Sequence, residues 1–215
     1  MKQFQLFLFL LLFSCHSGHH GHANRHMHSH KFDDLVKRFE SPDRDKWQKP
    51  DKVIDAMGSL TGKTVAEIGS GTGYFTFRLA QKSEKVLAAD VDERFLDHIR
   101  KRKQQHPEIA GKIETLKIPY SSPDLPENKF DKVLIVNTYH HINDRVKYFT
   151  VLNKKMHKTA ELYIVDFKKG TPVGPPDKMK LDAAEITAEL AKAGFSKITT
   201  DSRTLGYQYI IRAVK

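Results

Sequence analysis

The chain has 215 residues, of which 39% are hydrophobic and 29% are charged. This composition predicts one globular domain with short appendages rather than a disordered chain or a bundle of membrane helices. The 36 Lys and Arg residues outnumber the 26 Asp and Glu residues, and the formal net charge is +10. Such a charge favours acidic partners, such as anionic lipid headgroups or nucleic acid, but does not by itself identify a function.

Residues 1–15 are typical of an export signal, because Lys2 is followed by an almost unbroken apolar run at 4–13. Residues 12–15 resemble the signal box of bacterial lipoproteins and end at Cys15, the only cysteine of the chain. The resemblance implies that Cys15 is lipidated and that the protein is exported and anchored in the membrane. The alternatives are a signal cleaved elsewhere or an unremoved hydrophobic anchor. No run reaches the roughly 18 apolar residues of an ordinary spanning helix.

Residues 16–31 are predicted to be a flexible, His-rich linker, because almost no apolar residue is present to form a core. Seven of the twelve histidines of the chain lie here: His16, His19, His20, His22, His26, His28 and His30. Neutral imidazoles at this density could bind zinc, copper or nickel weakly. The alternative is a solvated tether. No defined metal site is predicted, because no carboxylate or cysteine completes one.

From residue 32 onward, the pattern alternates between helices and strands. Helical spacing predicts a helix at 32–39, which Ser41 and Pro42 end, and a second short helix after Pro50. Five short apolar runs then predict strands at 64–68, 86–89, 113–118, 133–136 and 162–165. A helix at 183–193 precedes two strands at 197–205 and 207–214, which form a predicted hairpin around Gly206. The order predicts an α/β domain over 32–215, with a doubly wound, mostly parallel sheet and a C-terminal antiparallel hairpin.

A glycine-rich turn follows the first predicted strand and precedes a predicted helix at 74–81. Glycines let the backbone approach a ligand closely, and a helix N-terminus offers free N–H groups. A dinucleotide site has the spacing Gly-x-Gly-x-x-Gly, whereas this turn reads Gly69-Ser70-Gly71-Thr72-Gly73 and has Tyr74 at the third dinucleotide position. The turn resembles motif I of class I S-adenosylmethionine-dependent methyltransferases, and the resemblance covers roughly residues 62–215.

The resemblance implies S-adenosylmethionine as cofactor and a Rossmann-like methyltransferase fold. In that family, the acidic residue two before the first glycine, here Glu67, helps to hold the amino-acid end of the cofactor. Asp90, at the end of the second strand, would accept hydrogen bonds from the ribose hydroxyls. The implied cofactor-binding residues are Glu67, Gly69, Ser70, Gly71, Gly73, Asp90 and Asn137. The family's acidic adenine contact is missing after the third strand, and Tyr120, Ser121 and Asp124 remain alternatives.

The segment after the fourth strand, 137–142, lies at the sheet edge where doubly wound folds bind ligands. His140 is a candidate general base because imidazole titrates near neutrality, and Tyr139 is a candidate for orienting the acceptor. The alternative is that this segment serves only packing or cofactor contact. The Asn/Asp-Pro-Pro-aromatic motif of amino-group methyltransferases is absent, so methylation of nucleic-acid bases is not supported.

The sequence therefore predicts a methyltransferase that acts on a small-molecule acceptor. One alternative is a non-catalytic, S-adenosylmethionine- or nucleoside-binding lipoprotein that senses metal. An RNA methyltransferase is disfavoured, because no stacking aromatics interleave with the basic residues. Since the cofactor is made in the cytoplasm, a domain at the cytoplasmic face of the membrane is the alternative to an exported one. Trp47, upstream of the first strand, belongs either to a lid over the cofactor or to the packing of the N-terminal helices.

Overall fold

The computed structural model describes residues 31–215. The lipoprotein-like signal with Cys15, and the His-rich segment up to residue 30, lie outside the described residues. Within 31–215, no helix has the length and apolar character needed to cross a membrane. Over the same range, no group of three or more His, Cys, Asp or Glu side chains is arranged to hold a metal ion.

One sheet forms the centre of the described domain. Its strands are β1 (Thr64–Ile68), β2 (Lys85–Asp90), β3 (Ile113–Lys117), β4 (Lys132–Val136), β5 (Glu161–Phe167), β6 (Ser196–Asp201) and β7 (Gln208–Val214). Their order is β3-β2-β1-β4-β5-β7-β6. The first five strands pair in parallel, and β7 lies antiparallel between β5 and β6. This arrangement confirms the predicted α/β, doubly wound sheet with its C-terminal antiparallel hairpin.

Helices cover both faces of the sheet. They are α1 (Phe32–Phe39), α2 (Asp43–Gln48), α3 (Pro50–Ala56), α4 (Thr76–Lys82), α5 (Glu93–Lys103), α6 (Pro107–Ala110), α7 (Arg145–Lys155) and α8 (Ala183–Lys192). Two single turns of 3₁₀ helix lie at Tyr139–His141 and Asp177–Met179. Because the parallel strands are covered on both sides, all five residues of β4 are buried.

The core has two apolar layers, one on each face of the sheet. In one layer, Phe149 and Leu152 of α7 pack with Ile186 of α8. In the other, Val53 and Ile54 of α3 pack with Leu79 of α4. All six side chains are 1% exposed or less. Burial of this kind contributes about 25 cal/mol per Å² of apolar surface, so both layers stabilise the frame that carries the site.

The strand order reverses direction between β1 and β4. The connection after β1 runs toward β2, and the connection after β4 runs toward β5, so the two carboxyl ends diverge and leave a crevice. Several segments meet at this edge: the glycine turn after β1, the end of β2, residues 137–141, the end of β5 and the start of β7. The crevice is therefore where a ligand site is expected.

Helix α2 was not predicted from the sequence. Pro42 ends the preceding helical pattern, but its ring is compatible with the start of a new helix, and α2 begins at the next residue. Lys49 then takes a left-handed conformation with φ 46°, which separates α2 from α3. The six residues of α2 bury only Gln48 fully, so their helical form depends on contacts with the rest of the domain.

Candidate active site

The glycine turn is held against the end of β2 by its backbone. The Gly69 N–H donates to the Ala89 carbonyl at 2.8 Å. Gly69 has φ +77°, and a Cβ at this position would lie 2.3 Å from the Thr138 Oγ1 atom. The turn therefore requires glycine for two reasons, its left-handed backbone and its close approach to the segment after β4.

Asp90 lies at the end of β2, directly beside the glycine turn. Its Oδ2 accepts a hydrogen bond from the Gly71 N–H at 2.8 Å, and its Oδ1 accepts one from the Asp92 N–H at 2.9 Å. Only 6% of Asp90 is exposed, and burial raises the pKa of its carboxyl to about 6. Asp92 instead caps α5, since its carboxylate accepts from the Arg94 N–H at 3.0 Å.

Glu67 is buried on the other side of the turn. It is 3% exposed, and its Oε2 accepts a hydrogen bond from the Thr76 hydroxyl at 2.5 Å. Burial raises the pKa of Glu67 to about 8, although the Thr76 hydroxyl and the positive charge of Arg44 act in the opposite direction. Glu67 is therefore a buried acid that a neighbouring cation would convert to its ionised form.

Arg44 projects from α2 over the same region. Its guanidinium carbon lies 3.8 Å from the centre of the Tyr74 ring, and its Nη1 donates to the Phe39 carbonyl at 2.9 Å. Burial lowers the pKa of Arg44 to about 10, so the side chain remains charged at neutral pH. The Tyr74 hydroxyl also donates to Asp45 of α2. These contacts attach α2 to the first residues after the glycine turn.

Three amide side chains close the crevice at the end of α2. The Asn137 Nδ2 donates to the Gln48 Oε1 at 3.0 Å, the Gln48 Nε2 donates to the Gln208 Oε1 at 2.5 Å, and the Gln208 Nε2 donates to the Asn137 Oδ1. Gln48 and Gln208 are fully buried. This amide ring joins α2 to β4 and β7, so the predicted cofactor residue Asn137 lies at the centre of the crevice.

Buried polar atoms without a partner collect around the glycine turn. Among the described residues, the buried side-chain atoms that lack a hydrogen bond are the Arg44 Nε, the Ser70 Oγ, the Thr72 Oγ1 and the His141 Nδ1. Three of the four belong to the turn or to α2 above it. Because an unsatisfied buried polar group costs about 1–3 kcal/mol, such a cluster fits a site for a polar ligand.

His140 forms a buried pair with Asp166, which lies near the end of β5. The His140 Nδ1 lies 2.9 Å from Oδ1 and 3.0 Å from Oδ2 of the Asp166 carboxylate. The two side chains are 3% and 2% exposed. The Asp166 carboxylate also accepts backbone N–H groups from His140 at 3.2 Å and from Phe167 at 2.8 Å. Sequence reasoning missed Asp166, although a carboxylate at the end of a strand next to β4 was the available signal.

His141 lies beside this pair but has a different environment. The rings of His140 and His141 are 4.2 Å apart between their centres. Burial and the neighbouring His140 lower the pKa of His141 to about 4. His141 is therefore neutral at physiological pH.

Tyr139 points away from the crevice. It is fully buried, its ring stacks on Phe149 at 4.9 Å, and its hydroxyl donates to the Glu189 Oε2 at 2.6 Å. Burial and the Glu189 carboxylate raise the pKa of Tyr139. This geometry favours a packing role for Tyr139 over the predicted contact with the acceptor.

Two of the candidates for adenine recognition, Tyr120 and Asp124, lie in different parts of the structure. Asp124 pairs with Lys155 at 3.3 Å on the outside of the domain. Tyr120 is half-buried, and burial together with the nearby carboxylates of Asp92 and Asp90 raises its pKa. Tyr120 therefore lies close to the carboxylate predicted to bind ribose, whereas Asp124 has a partner elsewhere.

Trp47 of α2 lies against the end of β5. Its ring centre is 5.8 Å from that of Phe167, whose ring centre is 6.2 Å from that of His140. Trp47 is half-buried and Phe167 is buried. Phe167 thus lies next to the pair of His140 and Asp166, and Trp47 of α2 packs against Phe167.

Known proteins with similar sequences include methyltransferases, in agreement with a cofactor site at the glycine turn. Residues 65–167 match the family described as "Methyltransferase domain". A probable S-adenosylmethionine-dependent methyltransferase of Mycobacterium tuberculosis is 27% identical over 142 residues, which are 63% of this chain and 49% of that protein. A probable dimethyladenosine transferase of Drosophila melanogaster is 28% identical over 129 residues, which are 60% of this chain and 41% of that protein. The chain thus spans about half the length, or less, of these curated relatives.

Solved structures share the fold over most of the chain. A methyltransferase of Aquifex aeolicus, described as dependent on S-adenosylmethionine, superposes with a TM-score of 0.77 at 24% identity and covers 86% of this chain and 98% of its own. Phosphoethanolamine N-methyltransferase 2 of Haemonchus contortus, in complex with S-adenosylmethionine, gives a TM-score of 0.66 at 15% identity, with coverages of 86% and 60%. The family match and the relatives support a class I methyltransferase with S-adenosylmethionine as cofactor.

Proposed function

We propose that the protein is an S-adenosylmethionine-dependent methyltransferase that acts on a small-molecule acceptor. The main support for the proposal is that the glycine turn with its buried acids and a buried histidine–aspartate pair lie at the same edge of the sheet. The glycine turn lies between the buried acids Glu67 and Asp90, and the pair of His140 and Asp166 lies at the ends of the neighbouring strands. A cofactor site and a site for proton transfer therefore share the crevice at the reversal point of the sheet.

The residues present fit this cofactor. Asp90 would accept hydrogen bonds from the ribose hydroxyls, and the hydroxyls of Ser70 and Thr72 would gain the partners they lack. Glu67 would face the ammonium group of the methionine portion, and the Arg44 guanidinium would face its carboxylate. The cofactor would supply an electrophilic methyl group on a sulfonium, which the chain itself does not possess.

The chain contributes position and a dry environment to the reaction. Methyl transfer is an in-line displacement, so holding the acceptor atom in line with the methyl carbon accounts for much of the rate. Helix α2 and the amide ring of Gln48, Asn137 and Gln208 cover the crevice and exclude water from it. Because the histidine and aspartate side chains beneath are nearly inaccessible, the site suits a small acceptor better than a macromolecule.

Titration calorimetry with S-adenosylmethionine and S-adenosylhomocysteine tests the cofactor assignment. We expect both to bind, and Asp90→Ala to weaken binding by about 1–3 kcal/mol, since charged hydrogen bonds to the ribose are lost. Asp97→Ala is the matched control, because this acid lies on the outer side of α5, where its side chain is 57% exposed. Tight binding of NAD without any response to S-adenosylmethionine would contradict the proposal.

A further inference from the structure

We propose that the acceptor is an aromatic hydroxyl compound, such as a phenol or catechol, which loses its proton to His140 while Asp166 orients the imidazole. This inference rests on the proposed methyltransferase function and adds a substrate class to it. It assigns His140 as the catalytic base and Asp166 as a positioning residue.

The buried pair defines which nitrogen of His140 can act. The Asp166 carboxylate oxygens already accept from two backbone N–H groups, of His140 and Phe167, and a carboxylate offers only acceptor atoms. The Nδ1 atom of His140, 2.9 Å from this carboxylate, must then carry its proton. In the neutral imidazole, the lone pair is consequently on Nε2, and no hydrogen bond within the described part of the chain occupies that atom. Nε2 is therefore the basic nitrogen that remains for an acceptor.

A base of this kind indicates an oxygen acceptor. A thiolate or a neutral amine presents a lone pair without a buried base, whereas a neutral hydroxyl is a weak nucleophile until its proton leaves. An imidazole is too weak a base to remove the proton of an aliphatic alcohol readily, because the alkoxide formed is a much stronger base. A phenol has a pKa of about 10, so its proton passes to an imidazole more easily. Among hydroxyl compounds, phenols are therefore the class that this pair can activate.

The surroundings of the pair favour an aromatic ring. Phe167 lies beside His140, and Trp47 contacts Phe167 with an angle of 38° between the two ring planes. Flat apolar walls of this type bind aromatic ligands through offset or tilted stacking. The amide ring at Asn137 supplies donors and acceptors on the cofactor side, where a second hydroxyl of a catechol could bind.

The proposed step balances in atoms and charge. The acceptor hydroxyl gives its proton to the His140 Nε2, and an oxygen electron pair forms the new bond to the methyl carbon. The bond from that carbon to sulfur breaks, and its electron pair stays on sulfur, so the sulfonium charge disappears. Asp166 stabilises the positive charge that appears on His140 until the proton passes to water.

His141 does not replace His140 as the base. It lies next to His140, but its Nδ1 atom is buried without a hydrogen bond, and no carboxylate orients the ring. A base without an orienting partner has no fixed direction for its lone pair. His141 therefore forms part of the wall of the acceptor site.

Absorption spectroscopy of 4-nitrocatechol tests the base without any turnover, since this compound changes colour on ionisation. With S-adenosylhomocysteine at saturation, we expect bound 4-nitrocatechol to ionise at lower pH than free 4-nitrocatechol, with an increase of about tenfold or more in its acid dissociation constant. His140→Gln and Asp166→Asn should remove the increase. His157→Gln should keep it, because His157 is exposed at the opposite edge of the sheet. An unshifted wild-type titration would overturn the proposal, whatever the variants do.

Rates with acceptors of different acidity separate a catalytic role from a structural one. His140→Gln should reduce kcat for catechol by about 10²–10⁴-fold. The loss should be clearly smaller for 4-nitrocatechol, whose hydroxyl ionises without help. Asp166→Asn should lower kcat with little change in KM, and Asp166→Glu should restore part of the rate. Equal losses with both acceptors would show that His140 is structural and would overturn its assignment as base.

The acceptor panel also separates this inference from the proposed function. Methyl transfer to ethanolamine or benzylamine but to no hydroxyl compound would overturn the acceptor class and leave the methyltransferase function standing. A protein that binds the cofactor by calorimetry but methylates no phenol or catechol would overturn the acceptor class as well. Failure to bind the cofactor would overturn the proposed function itself.

Discussion

Gly69 shows how a single position fixes the turn of the candidate cofactor site. We expect Gly69→Ala to lower both stability and cofactor affinity. The left-handed conformation costs an alanine about 1–2 kcal/mol, and the clash with Thr138 adds about 1–3 kcal/mol of overpacking. Denaturant unfolding measures the loss of stability, and calorimetry measures the loss of cofactor affinity.

Gly58→Ala is the matched control for Gly69→Ala. Gly58 has a similar φ of +70°, but a Cβ there would meet no atom within 4 Å. Its substitution should cost only the conformational part and leave cofactor affinity unchanged. Equal losses of stability and affinity in the two variants would contradict a specific role for the close approach at Gly69.

We expect Asp90 to make nucleoside binding dependent on pH. Because the carboxyl of Asp90 has a raised pKa of about 6, it is protonated below this pH and ionised above it. The ionised form would accept hydrogen bonds from the ribose hydroxyls, so we expect affinity to fall as pH decreases through about 6. The measurement is the dissociation constant of 5′-methylthioadenosine, which has the ribose but lacks the amino-acid end that would face Glu67. A pH-independent affinity, or the same pH dependence in Asp90→Asn, would contradict this assignment.

The site residues differ in how far the sequence could predict them. Glu67 and Asp90 follow from their positions at strand ends and from the glycine motif, because local order places them there. Gln48 and Gln208 meet although 160 residues separate them in the chain, and no local pattern links two glutamines at that distance. Arg44 lies in a helix that is stabilised by its tertiary contacts, so its place over the glycine turn could not be predicted either.

Among the elements, helix α2 connects the region of the glycine turn to the end of β5. Its Arg44 contacts Tyr74 after the glycine turn, and its Trp47 contacts Phe167 at the end of β5. The side chains of His140 and Asp166 are almost inaccessible, and His140 lies next to the ring of Phe167. We therefore expect α2 to move when a ligand enters, as lids do in other enzymes.

The fluorescence of Trp47 can detect this expected movement, because Trp47 is the only tryptophan of the chain. We expect cofactor binding to change it, since the half-buried ring of Trp47 lies on helix α2. Trp47→Phe should raise the cofactor dissociation constant and leave the melting temperature of the unliganded protein nearly unchanged. An emission spectrum that stays fixed at saturating cofactor, together with a large loss of stability in the variant, would assign Trp47 to packing instead.

The strands were more predictable than the segments between them. The five parallel strands lie within two residues of their predicted ends, because buried strands give clear apolar runs. The C-terminal hairpin differs, since β6 ends at Asp201 and not at the predicted residue 205. The Asp201 carboxylate accepts from the N–H groups of Arg203 and Thr204, and the Lys168 ammonium binds the Ser202 carbonyl of the same loop. These contacts hold residues 202–207 as a loop.

At the scale of the whole molecule, the proposed membrane anchor remains a prediction, because Cys15 lies outside the described residues. We expect Cys15→Ser to abolish incorporation of labelled fatty acid in a bacterial host and to release the protein from the membrane fraction. His16→Ser is a control that changes the adjacent residue and keeps the cysteine. Unchanged labelling of Cys15→Ser would contradict lipidation at this position.

Transfer of a labelled methyl group is the decisive measurement of methyltransferase activity. The full chain is incubated with S-adenosylmethionine labelled in its methyl group and with fractions of a cell extract, and the mass gain of one methyl group is measured in each fraction. We expect label in a small-molecule fraction, with a strong loss in Asp90→Ala and no loss in the exposed-site control Asp97→Ala. Absence of transfer to every fraction, or equal transfer by Asp90→Ala and the wild type, would contradict it.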